Sequence, residues 1–61
     1  MYTVVTDKNP NADLPDWIKN SNKEVLSTKI LWKFRSESEA AEAVEVFHDS
    51  GFEYVHRTSS F

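Results

Sequence analysis

The chain has no cysteine, one glycine and two prolines in 61 residues. Without cysteine there is no disulfide and no thiolate zinc site, so the usual staples of so small a scaffold are excluded. A single glycine, Gly51, cannot build a phosphate-cradling loop or a glycine-framed nucleophile turn. No apolar run approaches the roughly 20 residues that span a bilayer. The opening MYTVVTDKNP has neither the basic start nor the apolar core of a signal peptide. Base is also scarce. Seven Lys and Arg stand against ten Asp and Glu, a net charge of −3, which argues against a general phosphate-backbone binder.

What is present argues for a folded chain. Hydrophobic residues make up 39% and aromatics 13%, more than a disordered polar tail carries. A domain of this size buries only about 60% of its unfolded surface, so stability is marginal and a helper is expected. With staples excluded, that helper is good packing, a partner or a second copy. The missing cysteine fits a reducing cytoplasm, and the chain reads as cytoplasmic and unprocessed.

Residues 1–61 read as a single small domain. Tyr2 to Thr6 is β-branched and aromatic and runs into Asp7, Lys8, Asn9 and Pro10, which predicts a short strand ending in a turn. Residues 9–22 form a polar connection in which Leu14, Trp17 and Ile18 recur at helical spacing. Asp13 as cap and Pro15 in the first turn predict one short helical turn from Asp13 to Lys19. Val25 to Arg35 alternates, with Leu26, Thr28, Ile30, Trp32 and Phe34 expected to face the core. Val25, Ser27, Lys29, Leu31, Lys33 and Arg35 are expected to face away. Ser36 and Glu39 make a Ser-x-x-Glu capping box, and Gly51 suits the left-handed residue that ends the helix. Ala40, Ala43, Val44 and Phe47 form its apolar stripe, Glu42, Glu45 and Asp49 lie opposite, and Val46 falls on the wet side. Phe52 to Thr58 reads as the last strand, with Phe52, Tyr54 and His56 turned inward, and residues 59–61 as a tail.

The fold expected is α+β: a three-stranded sheet with one amphipathic helix on one face. The near-absence of loop at Arg35-Ser36 and at Gly51-Phe52 predicts a crossover between parallel strands, with the N-terminal strand beside or between them. From Ser36 to Arg57, an acid-rich capped helix runs through Gly51-Phe52-Glu53 into a final strand. That pattern is similar to small bacterial and phage accessory proteins, covers about a third of the chain, and carries no residue role across.

Charge is sorted by element. Val25 to Arg35 holds three bases and no acid, whereas Ser36 to Gly51 holds five acids and no base. The acids around Val46 suit a basic groove on a larger protein, and Trp17 suits an interface anchor, so Glu42, Glu45, Val46, Asp49 and Trp17 form the candidate partner site. The alternative is a nucleic-acid face built from Lys29, Lys33, Arg35 and Arg57, weakened because the strand's aromatics are expected to point inward. His48 and His56, close across the Gly51 turn, fall short of the ligands a metal needs. No catalytic residue, metal or cofactor is expected. The function expected is that of a small non-enzymatic interaction protein that binds and modulates, by inhibition in one form, a larger host or cellular protein. The other readings are the nucleic-acid module and a self-associating structural protein, a homodimer through an exposed strand edge. Ser59-Ser60-Phe61 also matches the short carboxyl-terminal pattern taken up by PDZ domains.

Overall fold

A computed structural model of the chain describes residues 2–9 and 11–58; the tail and its PDZ-like pattern lie outside them. The elements in order are β1 (Tyr2–Asp7), α1 (Asp16–Lys19), β2 (Asn22–Val25), β3 (Lys29–Phe34), α2 (Glu37–Asp49) and β4 (Val55–Thr58). The sheet has four strands, not three, in the order β2-β3-β1-β4, and every neighbouring pair is antiparallel. β3 and β4 therefore point the same way with β1 between them. This β-α-β-β-α-β order is that of the split βαβ, ferredoxin-like arrangement, here with a first helix of one turn.

The additional strand comes from a hairpin inside the run expected to be one strand. Leu26 N–H donates to Lys29 O at 2.8 Å, closing a two-residue loop at Ser27-Thr28, and Val25 pairs with Ile30. Leu26 and Thr28, expected in the core, are consequently exposed, because they sit at the turn where alternation stops. From Ile30 onward the expected phase holds. Trp32 and Phe34 are buried and Ile30 packs against the core.

Register assigns every strand residue to a side, since directly paired residues share one. Buried Val4 and Thr6 pair with Trp32 and Ile30 in β3 and with Arg57 and Val55 in β4. That side is covered by α2, which packs on β1, β3 and β4 through Ala40, Ala43 and Phe47. Thr6 is the buried polar residue of the core. Its Oγ1 accepts from Trp32 Nε1 at 2.8 Å and donates to Asp7 O at 2.9 Å, so both groups are satisfied.

Both marked ends of α2 form. Glu39 N–H donates to Ser36 Oγ at 3.2 Å. At the other end Gly51 has φ +91°, Gly51 N–H reaches His48 O at 3.3 Å and Phe52 N–H reaches Phe47 O at 3.2 Å, the paired bonds of a Schellman motif. The hydrophobic contact that accompanies this motif is Phe47 against Phe52, with ring centroids 5.1 Å apart and nearly perpendicular. Phe52 thus belongs to the helix end. The strand starts three residues later, and the expected inward set of Phe52, Tyr54 and His56 breaks up: Phe52 is buried, whereas Tyr54 and His56 are exposed and Val55 faces α2.

α1 begins after Pro15, whose carbonyl accepts from Ile18 and Lys19 N–H; no side chain caps it, so Asp13 does not take the role expected of it. Leu14 and Ile18 enter the core. Lys23 Nζ donates to Lys19 O at 2.7 Å and stands 5.2 Å from the centroid of the Trp32 ring, tying the end of α1 to β2 and β3.

Candidate functional site

Two surfaces carry the sequence-predicted site residues, and they lie on opposite sides of the sheet. The first is the α layer. Glu42, Glu45 and Asp49 fall on the outer side of α2 and are exposed. Val46 stands beside Glu42, about 40° away around the helix. It is half-buried and packs against the core, so the acidic surface shows only part of the apolar centre expected of it.

Trp17 supplies a replacement nearby. It is 38% exposed, its ring leans on Phe34 with centroids 6.0 Å apart, and with Glu39 and Glu42 it lines a groove of about 250 Å³. A second hollow of about 230 Å³ shares Trp17 and Glu39 with the first and is lined also by Asn20, Ser21, Lys33, Phe34 and Arg35. Among the described residues the one ion pair is Lys33 with Glu24 at 3.9 Å, so none of α2's five acids is in an ion pair there, although Arg35 and Lys33 line the same hollow as Glu39. Sequence reasoning chose Glu42 and Trp17 separately; the fold brings them together and adds Glu39. Glu39 belongs to the acidic helix back already evident in the sequence, alongside its place in the capping box.

The second surface is the side of the sheet that no helix covers. Lys29, Leu31 and Lys33 project there beside Asp7, Val5 and Thr3 of β1, then Tyr54, His56 and Thr58 on the far side. Arg35, past the end of β3, is exposed and lines the hollow beside Trp17 and Glu39, where Lys33 also contributes at the sheet edge. Arg57 does not belong with Lys29 and Lys33. Its partner Val4 is buried under α2, so Arg57 lies on the α side at the sheet edge.

Tyr54 is held in place by Asp7. Asp7 N–H donates to Tyr54 O at 3.3 Å, and Tyr54 N–H donates to Asp7 Oδ1 at 3.3 Å. Lys29 Nζ then reaches across β1 to stand 5.2 Å from the Tyr54 ring centroid, and the His56 ring follows at 6.4 Å. The outward aromatics that the sequence reading denied this surface are therefore present, supplied by β4. Its positive charge is partly offset by Asp7 and by Glu24 on Lys33.

His48 lies on α2 and His56 on the open side, so the sheet separates them. Among the described residues no three His, Asp or Glu side chains are grouped to hold a metal ion, and no helix is long and apolar enough to cross a membrane. No protein-family model, curated protein or solved structure matches the chain.

Proposed function

We propose that this chain is a non-enzymatic binding module that sets its α side, with Trp17 as anchor and Glu39, Glu42, Glu45 and Asp49 around it, onto a basic surface of a larger protein. The observation that carries this reading is the pairing, in one groove, of the exposed Trp17 with Glu39 and Glu42, which are in no ion pair among the described residues. A large aromatic that fills a partner's pocket supplies affinity, while the surrounding acids steer the encounter and select basic partners. Modulation of that partner follows from occupying its surface, and the 61 residues need no chemistry of their own to do so.

The test starts from the tagged protein recovered from nuclease-treated lysate of the cells that carry it, with the stoichiometric co-purifying protein identified. Glu42→Lys with Glu45→Lys should weaken that complex about tenfold or more at low ionic strength. The deficit should shrink as salt rises, because the Debye length falls from about 10 Å at 0.1 M to about 3 Å at 1 M. Trp17→Ala should weaken it at every salt concentration. A partner held equally well by all these variants removes the α side from the mechanism.

One observation favours a second reading. Tyr54, His56, Lys29 and Lys33 share an uncovered sheet side, the combination of stacking rings and positive charge used to bind single-stranded nucleic acid. It requires a shift of labelled oligonucleotide at micromolar protein and low salt, lost with Tyr54→Ala and with Lys33→Glu. No shift discards it.

A further inference from the structure

α1 is one turn, about 6 Å long at 1.5 Å per residue, whereas β3 beneath it runs about 20 Å. The α side of the β2–β3 hairpin is therefore roofed at the Phe34 end by Trp17 and left bare at the Ile30 end. There lies a hollow of about 360 Å³, walled by Leu14, Val25, Ile30, Trp32 and Phe52, with Lys8 and Asn9 at the rim. The volume falls in the range of small-molecule sites, about 300–1,000 Å³. Val25, 59% exposed, stands at the mouth.

The rim is chemically simple. Asn9 is already engaged, its Nδ2 donating to Gly51 O at 3.3 Å and its Oδ1 accepting from Asn11 N–H at 3.3 Å. Lys8 is exposed, is in no ion pair among the described residues, and is the one charged residue of the lining. Apolar walls with a single free ammonium at the edge select a molecule with an apolar body and one anionic head. We propose that this hollow is a binding site for a small anionic amphiphile, an alkyl or single-ring carboxylate, whose body lies against Trp32, Ile30 and Phe52 and whose carboxylate meets Lys8. The site is separate from the Trp17 groove and stands or falls apart from it.

Decanoate below its micelle concentration is the probe, and Trp17→Phe makes Trp32 the sole indole reporter of a chain with two tryptophans. Expected are saturable quenching of Trp32 and a preference for decanoate over decyltrimethylammonium of about fivefold at low salt, the scale of one exposed charge pair. Lys8→Glu should reverse the preference, and Val25→Phe, a substitution at an exposed position that fills the mouth without adding an indole, should remove saturation. Far-ultraviolet circular dichroism and amide dispersion check each variant's fold, and Lys8→Glu keeps the test decisive if Val25→Phe fails to fold. Quenching that never saturates overturns the proposal. So does decanoate binding that survives Val25→Phe in a folded protein, equal binding of the two head groups, loss of amide dispersion on titration, or a dimer in sedimentation that decanoate does not dissociate.

Discussion

Replacing Thr6 with valine keeps the shape of a fully buried side chain and removes its oxygen. The change strands one buried group. Trp32 Nε1–H, at 2.8 Å from Oγ1, loses its acceptor, while the half-buried Asp7 O, at 2.9 Å, loses one donor. The indole is only 4% exposed, so water does not readily replace the acceptor. Leaving such a group unsatisfied costs about 1–3 kcal/mol. A chain of 61 residues at about 0.05–0.15 kcal/mol per residue has roughly 3–9 kcal/mol in total, so one hydroxyl carries a sizeable share of the fold. At about 4–8 °C per kcal/mol, Thr6→Val should lower Tm by about 4 °C at the least and by about 24 °C at the upper end. Thermal unfolding followed by circular dichroism, on wild type, Thr6→Val, Trp32→Phe and the double variant, isolates the bond. In the Trp32→Phe background there is no indole N–H to strand, so Thr6→Val should cost less there by about 1 kcal/mol or more. Equal losses in the two backgrounds would refute the reasoning, and the hydroxyl would then matter only through its own neighbours. The bond also fixes the Trp32 ring, which walls the bare hollow and lies near Lys23, so Thr6→Val should weaken decanoate binding as well.

Two further substitutions test the chain's turns. Ser27→Asn with Thr28→Gly gives the hairpin the residues of a type I′ turn, whose twist matches the strands, and should raise stability by about 0.5–2 kcal/mol in denaturant titration; no gain would mean the native loop already suits the hairpin. Gly51→Ala places a Cβ in ordinary van der Waals contact with Asn9 Nδ2 at 3.9 Å and in no clash, so its loss, about 1–2 kcal/mol, comes from the backbone at φ +91° and should appear as a lower Tm with the fold unchanged; a neutral variant would contradict the left-handed cap.

What was legible in the sequence was whatever a single residue type decides. Ser36 and Gly51 mark the ends of α2 because a hydroxyl cap and a left-handed residue have few substitutes, and Ile30, Trp32 and Phe34 fix the inward side of β3 because a slip would bury Lys29, Lys33 and Arg35. The β2–β3 hairpin was not legible, since Ser27-Thr28 lacks the Asn-Gly or Gly signature of the favoured hairpin turns, and among the described residues no non-glycine has positive φ. Phe52 misled for a different reason. Its burial is owed to the Schellman contact with Phe47, so carrying strand alternation onward from it put Tyr54 and His56 on the wrong side. Val46 was expected on the wet side because a helical wheel assumes one covering surface, whereas it is half-buried and packs against the core.

The candidate surfaces of the α side share one cause, the brevity of α1, and the local chemistry enforces it. Pro15 holds the extended conformation at the start, and a proline disfavours the helical region for the residue before it, so the turn does not grow toward Leu14. At the other end the helix's last carbonyls are already taken. Ser21 Oγ donates to Ile18 O at 2.7 Å and Lys23 Nζ donates to Lys19 O at 2.7 Å, which removes the unsatisfied acceptors that a further turn would otherwise relieve. A helix two turns longer would extend across the bare hairpin end and roof part of the hollow. The sequence instead stops the helix on both sides and leaves Trp17, 38% exposed, on one flank of the turn and the apolar hollow on the other. In a domain with so little apolar surface to spare, uncovered ground bounded this firmly on both sides is what the two proposed contact surfaces require, and a helix lengthened over it should abolish both.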